Sequence, residues 1–189
     1  MRLDREKIIQ AAAELFQKKG YTATSVQDIA DKVGFTKAAL YYHVQSKEDI
    51  LWQIIDSVML TAERRMQELK GQPMSTIERL RRVISNHILN VHDDAAYIAI
   101  FFTEKAHLPP DRVTAINARR RSYEEDIAAI IRQGVAEGVF KDTDVLPTVY
   151  GILGMCNWTY QWYRPEGPLT PMEIADLFTK IILSGLLQS

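Results

Sequence analysis

Thr24, Ser25, Gln27, Thr36, Lys37, Ala38, Tyr41, Tyr42, His43 and Lys47 crowd hydroxyls, an amide, an imidazole and two ammonium groups into one short stretch. Groups of this kind donate hydrogen bonds to phosphate oxygens and, from a helix lying in the major groove, to base edges. The rest of the chain offers little competing chemistry. Its histidines, His43, His87, His92 and His107, form no H-x-x-x-H pair, and no Gly-rich phosphate loop or nucleophile elbow is present. His87 and His92 are poorly spaced for a shared metal ion, and Glu124-Glu125-Asp126 reads as a solvated patch. Catalytic residues, a metal and a cofactor are therefore not expected.

The elements that must position the first group are legible between Thr24 and Asp49. Ser25 with Asp28 makes a capping box, so a helix starts at Val26 and turns Ile29, Ala30 and Val33 inward. Gly34 follows, where a left-handed residue is easiest for glycine. Thr36 caps a second helix that points Ala39, Leu40, His43 and Val44 inward and Lys37, Ala38, Tyr41 and Tyr42 outward. Of the two adjacent tyrosines at most one belongs to a core, and the other hydroxyl suits a backbone phosphate. Ser46 then caps a further helix, whose positive end suits a phosphate beside Lys47. Helix pairs of this shape also occur in bundles that never touch DNA. The outward clustering of Thr, Ser, Lys and Tyr favours a DNA-reading helix-turn-helix.

Composition agrees once the charge is divided. The chain of 189 residues has a net charge of −1, an unpromising balance for a polyanion partner. Residues 1–47, however, carry eight Lys/Arg against five Asp/Glu, and residues 48–189 carry fifteen against nineteen. The basic end is the nucleic-acid end, and its modest excess implies that tight binding uses two copies. The single cysteine, Cys156, lies in an apolar run and reads as a buried thiol; it suits a reducing, cytoplasmic setting. Met1–Gly20 reads as an amphipathic helix rather than a signal peptide, and no apolar run is long enough to span a membrane.

Helical periodicity continues to the end of the chain, with no β alternation and no repeats. Helices are expected over about 4–19, from Val26, after Thr36, 47–70, from Ser75 to a break at Asp93–Asp94, and around Tyr97–Phe102. Others are expected over 111–137 after Leu108–Pro109–Pro110, from Asp144 to Arg164–Pro168, and after the capping box Thr170-Pro171-Met172-Glu173. The last is given an apolar stripe of Ile174, Phe178, Ile181 and Leu186. An all-α protein of nine helices follows, divided as residues 1–47 and 48–189.

The segment IIQAAAELFQKKGY at Ile8–Tyr21, followed by TSVQDIADKVGFTKAALYYHVQSKEDIL, resembles the DNA-binding domain of the TetR family of transcriptional regulators. Val44 stands where that family often carries an aromatic. The resemblance implies a nine-helix fold over the whole chain: a helix-turn-helix domain and a larger domain that binds a small molecule and dimerises. It also implies a homodimer built on the last two long helices, presenting two recognition helices to a near-palindromic double-stranded operator.

The helix Val145–Tyr163 is apolar almost all round, so both faces are expected to be covered. One line holds Gly151, Gly154, Met155, Trp158 and Trp162; another holds Val149, Ile152, Leu153, Cys156, Tyr160 and Tyr163. A second subunit is the simplest cover. Tyr97, Phe101, Phe102, Tyr123, Trp158 and Trp162 read either as packing or as the walls of a ligand cavity. Arg120, placed between Ile116 and Tyr123 on an inward face, calls for an anion: Glu104, Glu124 or a phosphate of a bound effector. Arg119-Arg120-Arg121 sweeps roughly 200° of helix, so most of that run is surface. The string around Asn157-Trp158, Trp162-Tyr163-Arg164-Pro165 and Gly167-Pro168 resembles TetR-family repressors of fatty-acid, steroid or aromatic catabolism that respond to acyl-CoA thioesters. That resemblance implies a ligand site including Asn157, Trp158, Gln161, Trp162 and Arg164, with Arg120 and Arg164 as phosphate ligands. Arg164 reads equally as a cap on its own helix, and a hydrophobic drug is the alternative effector.

Overall fold

Local capping chemistry sets most helix ends. The Asp4 carboxylate accepts from the Lys7 amide at 2.9 Å. Ser25 and Thr170 each complete a reciprocal capping box, with Asp28 and Glu173 respectively. Pro110 and Pro171 occupy first helical positions, where a missing N–H costs nothing. The computed structural model describes residues 4–93 and 95–188. Among them run α1 (Arg5–Lys19), α2 (Val26–Val33), α3 (Lys37–Tyr41), α4 (Lys47–Leu69), α5 (Thr76–Asp93), α6 (Ala95–Thr103), a 3-10 turn at Lys105–His107, α7 (Pro110–Ala136), α8 (Val145–Trp162) and α9 (Pro171–Leu186). The all-α expectation holds. Met1–Leu3 of the expected first helix, and Asp94 at the expected break, lie outside the described residues.

Packing divides the chain into two units, Met1–Met59 with Ala95–Asn117, and Leu60–Asp94 with Ala118–Ser189. The division falls within α4 and α7, not at the expected 47/48. The reason is the apolar side chains: Ile50, Leu51, Ile54 and Ile55 of α4 share a core with Ile8, Phe16, Ile29 and Leu40, and α6 adds Ile100 and Phe101 to it. The second unit has its own core, in which α5 packs on both α8 and α9 around Leu80, Ile84, Ile88, Ile127, Val149 and Ile174. Full burial of each such Leu or Ile contributes about 1.5–3 kcal/mol. No helix among the described residues is long and apolar enough to cross a membrane.

After α7 the chain folds Phe140 back into the second core, where it is fully buried, and Phe140 forms an isolated antiparallel bridge with Leu187. Gly134 makes room for that ring: a Cβ at Gly134 would lie 2.1 Å from Phe140 Cδ2 and 2.8 Å from Cγ. Alanine in place of a helical glycine ordinarily stabilises, by about 1 kcal/mol. Here the methyl meets a fully buried aromatic ring. Gly134→Ala is therefore expected to destabilise by about 1–3 kcal/mol, lowering the urea midpoint without changing the slope. A raised midpoint would show that the ring steps aside.

Candidate nucleic-acid interface and interior polar site

The turn between α2 and α3 follows from its residues. Asp28 Oδ2 accepts from the Ser25 amide at 2.6 Å and from its hydroxyl at 2.7 Å, while Ser25 Oγ accepts from the Asp28 amide at 3.1 Å. These bonds to Ser25, together with Lys19, hold the Asp28 carboxyl far below the usual carboxylate range. Gly34 takes φ 74° and ψ 33°, left-handed backbone that lets the Phe35 amide reach Ala30 O at 3.0 Å. Thr36 Oγ1 accepts from the Ala39 amide at 3.2 Å and so starts α3, which Leu40 and Val44 anchor to the core. Thr36, Lys37, Ala38, Tyr41 and Gln27 are exposed, and Tyr42 is 88% exposed. Neither tyrosine is core. Half-buried His43 stands edge-on to Tyr42 at 5.4 Å.

Two residues of the expected DNA face do other work. Thr24 is buried, and its hydroxyl donates to Gly20 O at 2.8 Å because the α1–α2 loop closes on itself; it is withdrawn from the phosphate-facing set. Lys47 places Nζ 2.9 Å from both Tyr21 O and Thr24 O, and 4.1 Å from the Tyr21 ring centroid. Two of its three N–H donors thus tie that loop to the start of α4. Burial, helped by Glu48, pushes the Tyr21 phenol up to about 12. Other cations nearby are paired: Lys19 with Asp28 at 2.9 Å, Lys32 with Glu14 at 2.7 Å. Lys37 has no ion pair among the described residues and lies 5.9 Å from the Tyr41 ring centroid.

The residues expected to line a ligand site fall in both units. Tyr97, Phe101 and Phe102 belong to the first unit, the other seven to the second. Phe101 is core and Phe102 is exposed. On α8 the line of Val149, Ile152, Leu153 and Cys156 is buried. Leu146, Tyr150, Gly151, Gly154, Trp158, Gln161 and Trp162 are exposed, Trp158 by 62%, so within this chain only one face of α8 is covered. Met172, Leu177 and Ile181 of α9 are exposed too, while Ile174 and Leu186 of the same expected stripe are buried. Arg120 takes the Glu124 alternative, pairing with it at 3.3 Å one turn along α7, but its side chain is 51% exposed rather than inward. The inward arginine is Arg119, a helical step of about 100° away. Its Nε and Nη2 bond Glu63 of α4 at 2.6 and 2.7 Å. Exposed Arg164 donates to Tyr163 O at 2.9 Å and so caps α8.

What α8 does bring inward is polar. His87 of α5 stands between the Tyr123 hydroxyl of α7, 3.1 Å from Nδ1, and Asn157 Oδ1 of α8, 2.8 Å from Nε2. Burial lowers the His87 pKa, and raises that of Tyr123 well above an ordinary phenol. His92 Nε2 lies 2.9 Å from Thr159 Oγ1, and Thr159 donates to Cys156 O at 2.7 Å. Burial pushes the Cys156 thiol up to about 12, so it is inert. Histidine spacing alone, which offers no metal pair, does not single out His87. Its position one turn beyond Ile84, beside Ile88, marks an inward site.

A helix-turn-helix unit joined to a second helical core is the arrangement of a DNA-binding regulator. The chain belongs to the TetR family, and it is a transcriptional regulator, not an enzyme. Residues 8–54 match the bacterial regulatory proteins of the tetR family, and residues 73–186 match the tetracyclin repressor-like C-terminal domain. Among solved structures it is similar to the TetR-family regulator PfmR of Thermus thermophilus, with 35% identity, a TM-score of 0.88, and 96% of this chain and 99% of that one covered. It is also similar to the ketosteroid transcriptional regulator KstR2 of Mycobacterium tuberculosis (27%, TM-score 0.91, 98% and 95% covered). A third is AibR in complex with isovaleryl coenzyme A and operator DNA (31%, TM-score 0.83, 94% and 96% covered). Regulators of this family bind operator DNA and small-molecule effectors.

Lys37 and Lys47 separate by experiment. Lys37→Ala is expected to leave the melting temperature unchanged and to weaken binding to any DNA, lowering the salt slope by about 1. Lys47→Ala is expected to cost about 1.5–3 kcal/mol of stability, as charged hydrogen bonds to two carbonyls are lost. Fluorescence anisotropy across a salt series, beside thermal melts, checks both. Equal melting for the two variants would deny Lys47 its internal role.

Proposed function

We propose that this regulator is a repressor that holds a near-palindromic operator as a homodimer and is released when an acyl-CoA thioester occupies the second unit. The observation that carries the reading is the likeness to AibR, solved with isovaleryl coenzyme A and operator DNA, along nearly the whole chain. The tetracyclin repressor-like match over residues 73–186 agrees with repression. Thr36, Lys37, Ala38, Tyr41, Tyr42, Gln27, Ser25 and His43 form the DNA face, with α3 in the major groove. The exposed apolar side of α8 and α9 is the dimer face. In its favour, a Cβ added at Gly151, Gly154 or Gly185 would meet nothing within 4 Å, so a second backbone has room to approach. A patch with Trp158, Trp162, Leu177 and Ile181 is costly to leave in water.

Release follows from α4 being one uninterrupted helix. A ligand that prefers a displaced second half of α4 also shifts Lys47 and the loop it holds. The two reading heads then leave operator spacing, by an amount set by the ligand's preference for that state.

Thermal unfolding with acyl-CoAs of several chain lengths, free CoA and free fatty acids is the direct test. An acyl-CoA at 100 times its Kd is expected to add about 2.7 kcal/mol of stability, with free acids adding none. No response to any acyl-CoA would remove the effector assignment and leave the DNA-binding assignment intact. Separately, Gly154→Glu is expected to give a monomer in sedimentation equilibrium, with at least tenfold weaker operator binding. A dimer that persists would place the interface elsewhere.

A further inference from the structure

We propose that the Asn157 amide touches the effector and reads a carbonyl oxygen, with His87 and Tyr123 as positioning residues that fix which end of the amide is presented. The inference rests on the second unit being the effector-binding one. It begins from hydrogen-bond direction. A neutral imidazole has one donor and one acceptor nitrogen, and burial keeps His87 on the neutral side. Asn157 Oδ1, 2.8 Å from Nε2, only accepts, so the proton sits on Nε2. Nδ1 is then bare and accepts from the Tyr123 hydroxyl at 3.1 Å. The three side chains thus form a one-way chain: Tyr123 gives to His87, and His87 gives to Asn157.

That chain ends in unspent donors. With Oδ1 held by His87, the two N–H groups of Asn157 Nδ2 have no acceptor among the described residues. Asn157 is half-buried, and Tyr123 belongs to the apolar core that also holds Ile84, Ile88, Ile127 and Leu153. A polar trio there is less favourable than hydrocarbon of the same shape unless its groups are used. This trio points a fixed N–H pair at whatever approaches α8, and the complement of such a pair is an oxygen that accepts and carries no proton. A thioester or carboxylate oxygen fits; a saturated hydrocarbon does not.

The probes are acyl-CoAs of short, medium and long chain and the matching S-alkyl-CoA thioethers, which keep the chain and phosphates and lack the carbonyl. Titration calorimetry on the full-length protein is expected to show wild type preferring acyl over alkyl by about tenfold. Asn157→Leu is expected to erase the preference, with a cooperative thermal melt and wild-type helical circular dichroism certifying its fold. His87→Leu is expected to lose most of the preference. His87→Gln, whose Oε1 can accept from Tyr123 and whose Nε2 can donate to Asn157, is expected to restore it. If Asn157→Leu does not fold, Asn157→Asp serves: a carboxylate facing the carbonyl is expected to reverse the preference. Equal wild-type binding of acyl and alkyl forms would overturn this inference and leave the acyl-CoA reading standing. So would a preference that survives Asn157→Leu. Failure of wild type to bind either form would sink the acyl-CoA reading, and this inference with it.

Discussion

The Lys47 ammonium is the joint that the DNA-reading half depends on. It stands in the first turn of α4, where a cation opposes the helix dipole. The position is tolerated because the side chain turns to the carbonyls of Tyr21 and Thr24 and covers the Tyr21 ring. The same loop is closed from within by Thr24 and packed by Tyr21, which lies edge-on to Phe16 at 5.1 Å and stacks on His107 at 5.2 Å. The path of the chain into α2, and through the Gly34 turn into α3, is thereby referred to the start of α4. Lys37 and Tyr41, with Tyr42 just past the end, are exposed on a five-residue helix too short to hold its own direction. They inherit their placement from Leu40 and Val44 below and from that loop.

α4 itself is patterned in two ways. Its first half carries adjacent pairs, Ile50-Leu51 and Ile54-Ile55, a stripe wide enough to be covered from more than one side. Its second half narrows to Ala62, Met66 and Leu69, one residue per turn, in the other core. No glycine or proline falls between Lys47 and Leu69, so the helix has no built-in point for a sharp bend. The two cores thus draw on different halves of one helix. On the proposed reading, that is why occupancy of the second unit is felt at Lys47.

Much cap chemistry was legible in the sequence: Ser25 with Asp28, Thr170 with Glu173, Gly34 and Thr36 all act within four residues and need no tertiary context, whereas Asp144 opens α8 without a side-chain cap bond. Helix count and the inward stripes of α1, α4 and α5 were legible for the same reason, since amphipathic periodicity has a phase. α8 has almost none. Its apolar residues run all the way round, so periodicity could not tell that Cys156 is buried and Trp158 exposed. In the arginine run the error was one helical step: Arg119 and Arg120 differ by about 100°, and only Glu63, distant in sequence, selects Arg119. The internal bonds of Lys47 and Thr24 were illegible for a different reason. A lysine clasping carbonyls and a lysine awaiting a phosphate have the same neighbours in sequence. Phe140 gave no signal either, because it lies beyond the periodic part of α7 and its cavity is cut by a glycine six residues earlier.

The two roles proposed for α8 fall on consecutive residues. Asn157 is turned toward His87, and Trp158, one step of about 100° on, is turned to solvent beside Gly151 and Gly154. A helix is rigid about its own axis, so a rotation or shift that improves the amide bond to a ligand carbonyl must move the Trp158 ring by a comparable amount. If that ring lies in the dimer face, ligand and partner are read by the same element. Coupling of the usual 1–3 kcal/mol then needs no chain of intermediaries. It needs only that the ligand-optimal and dimer-optimal settings of α8 differ. By reciprocity, a substitution at Trp158 that weakens the dimer should alter ligand affinity in the matching direction, although no ligand atom need touch that side chain.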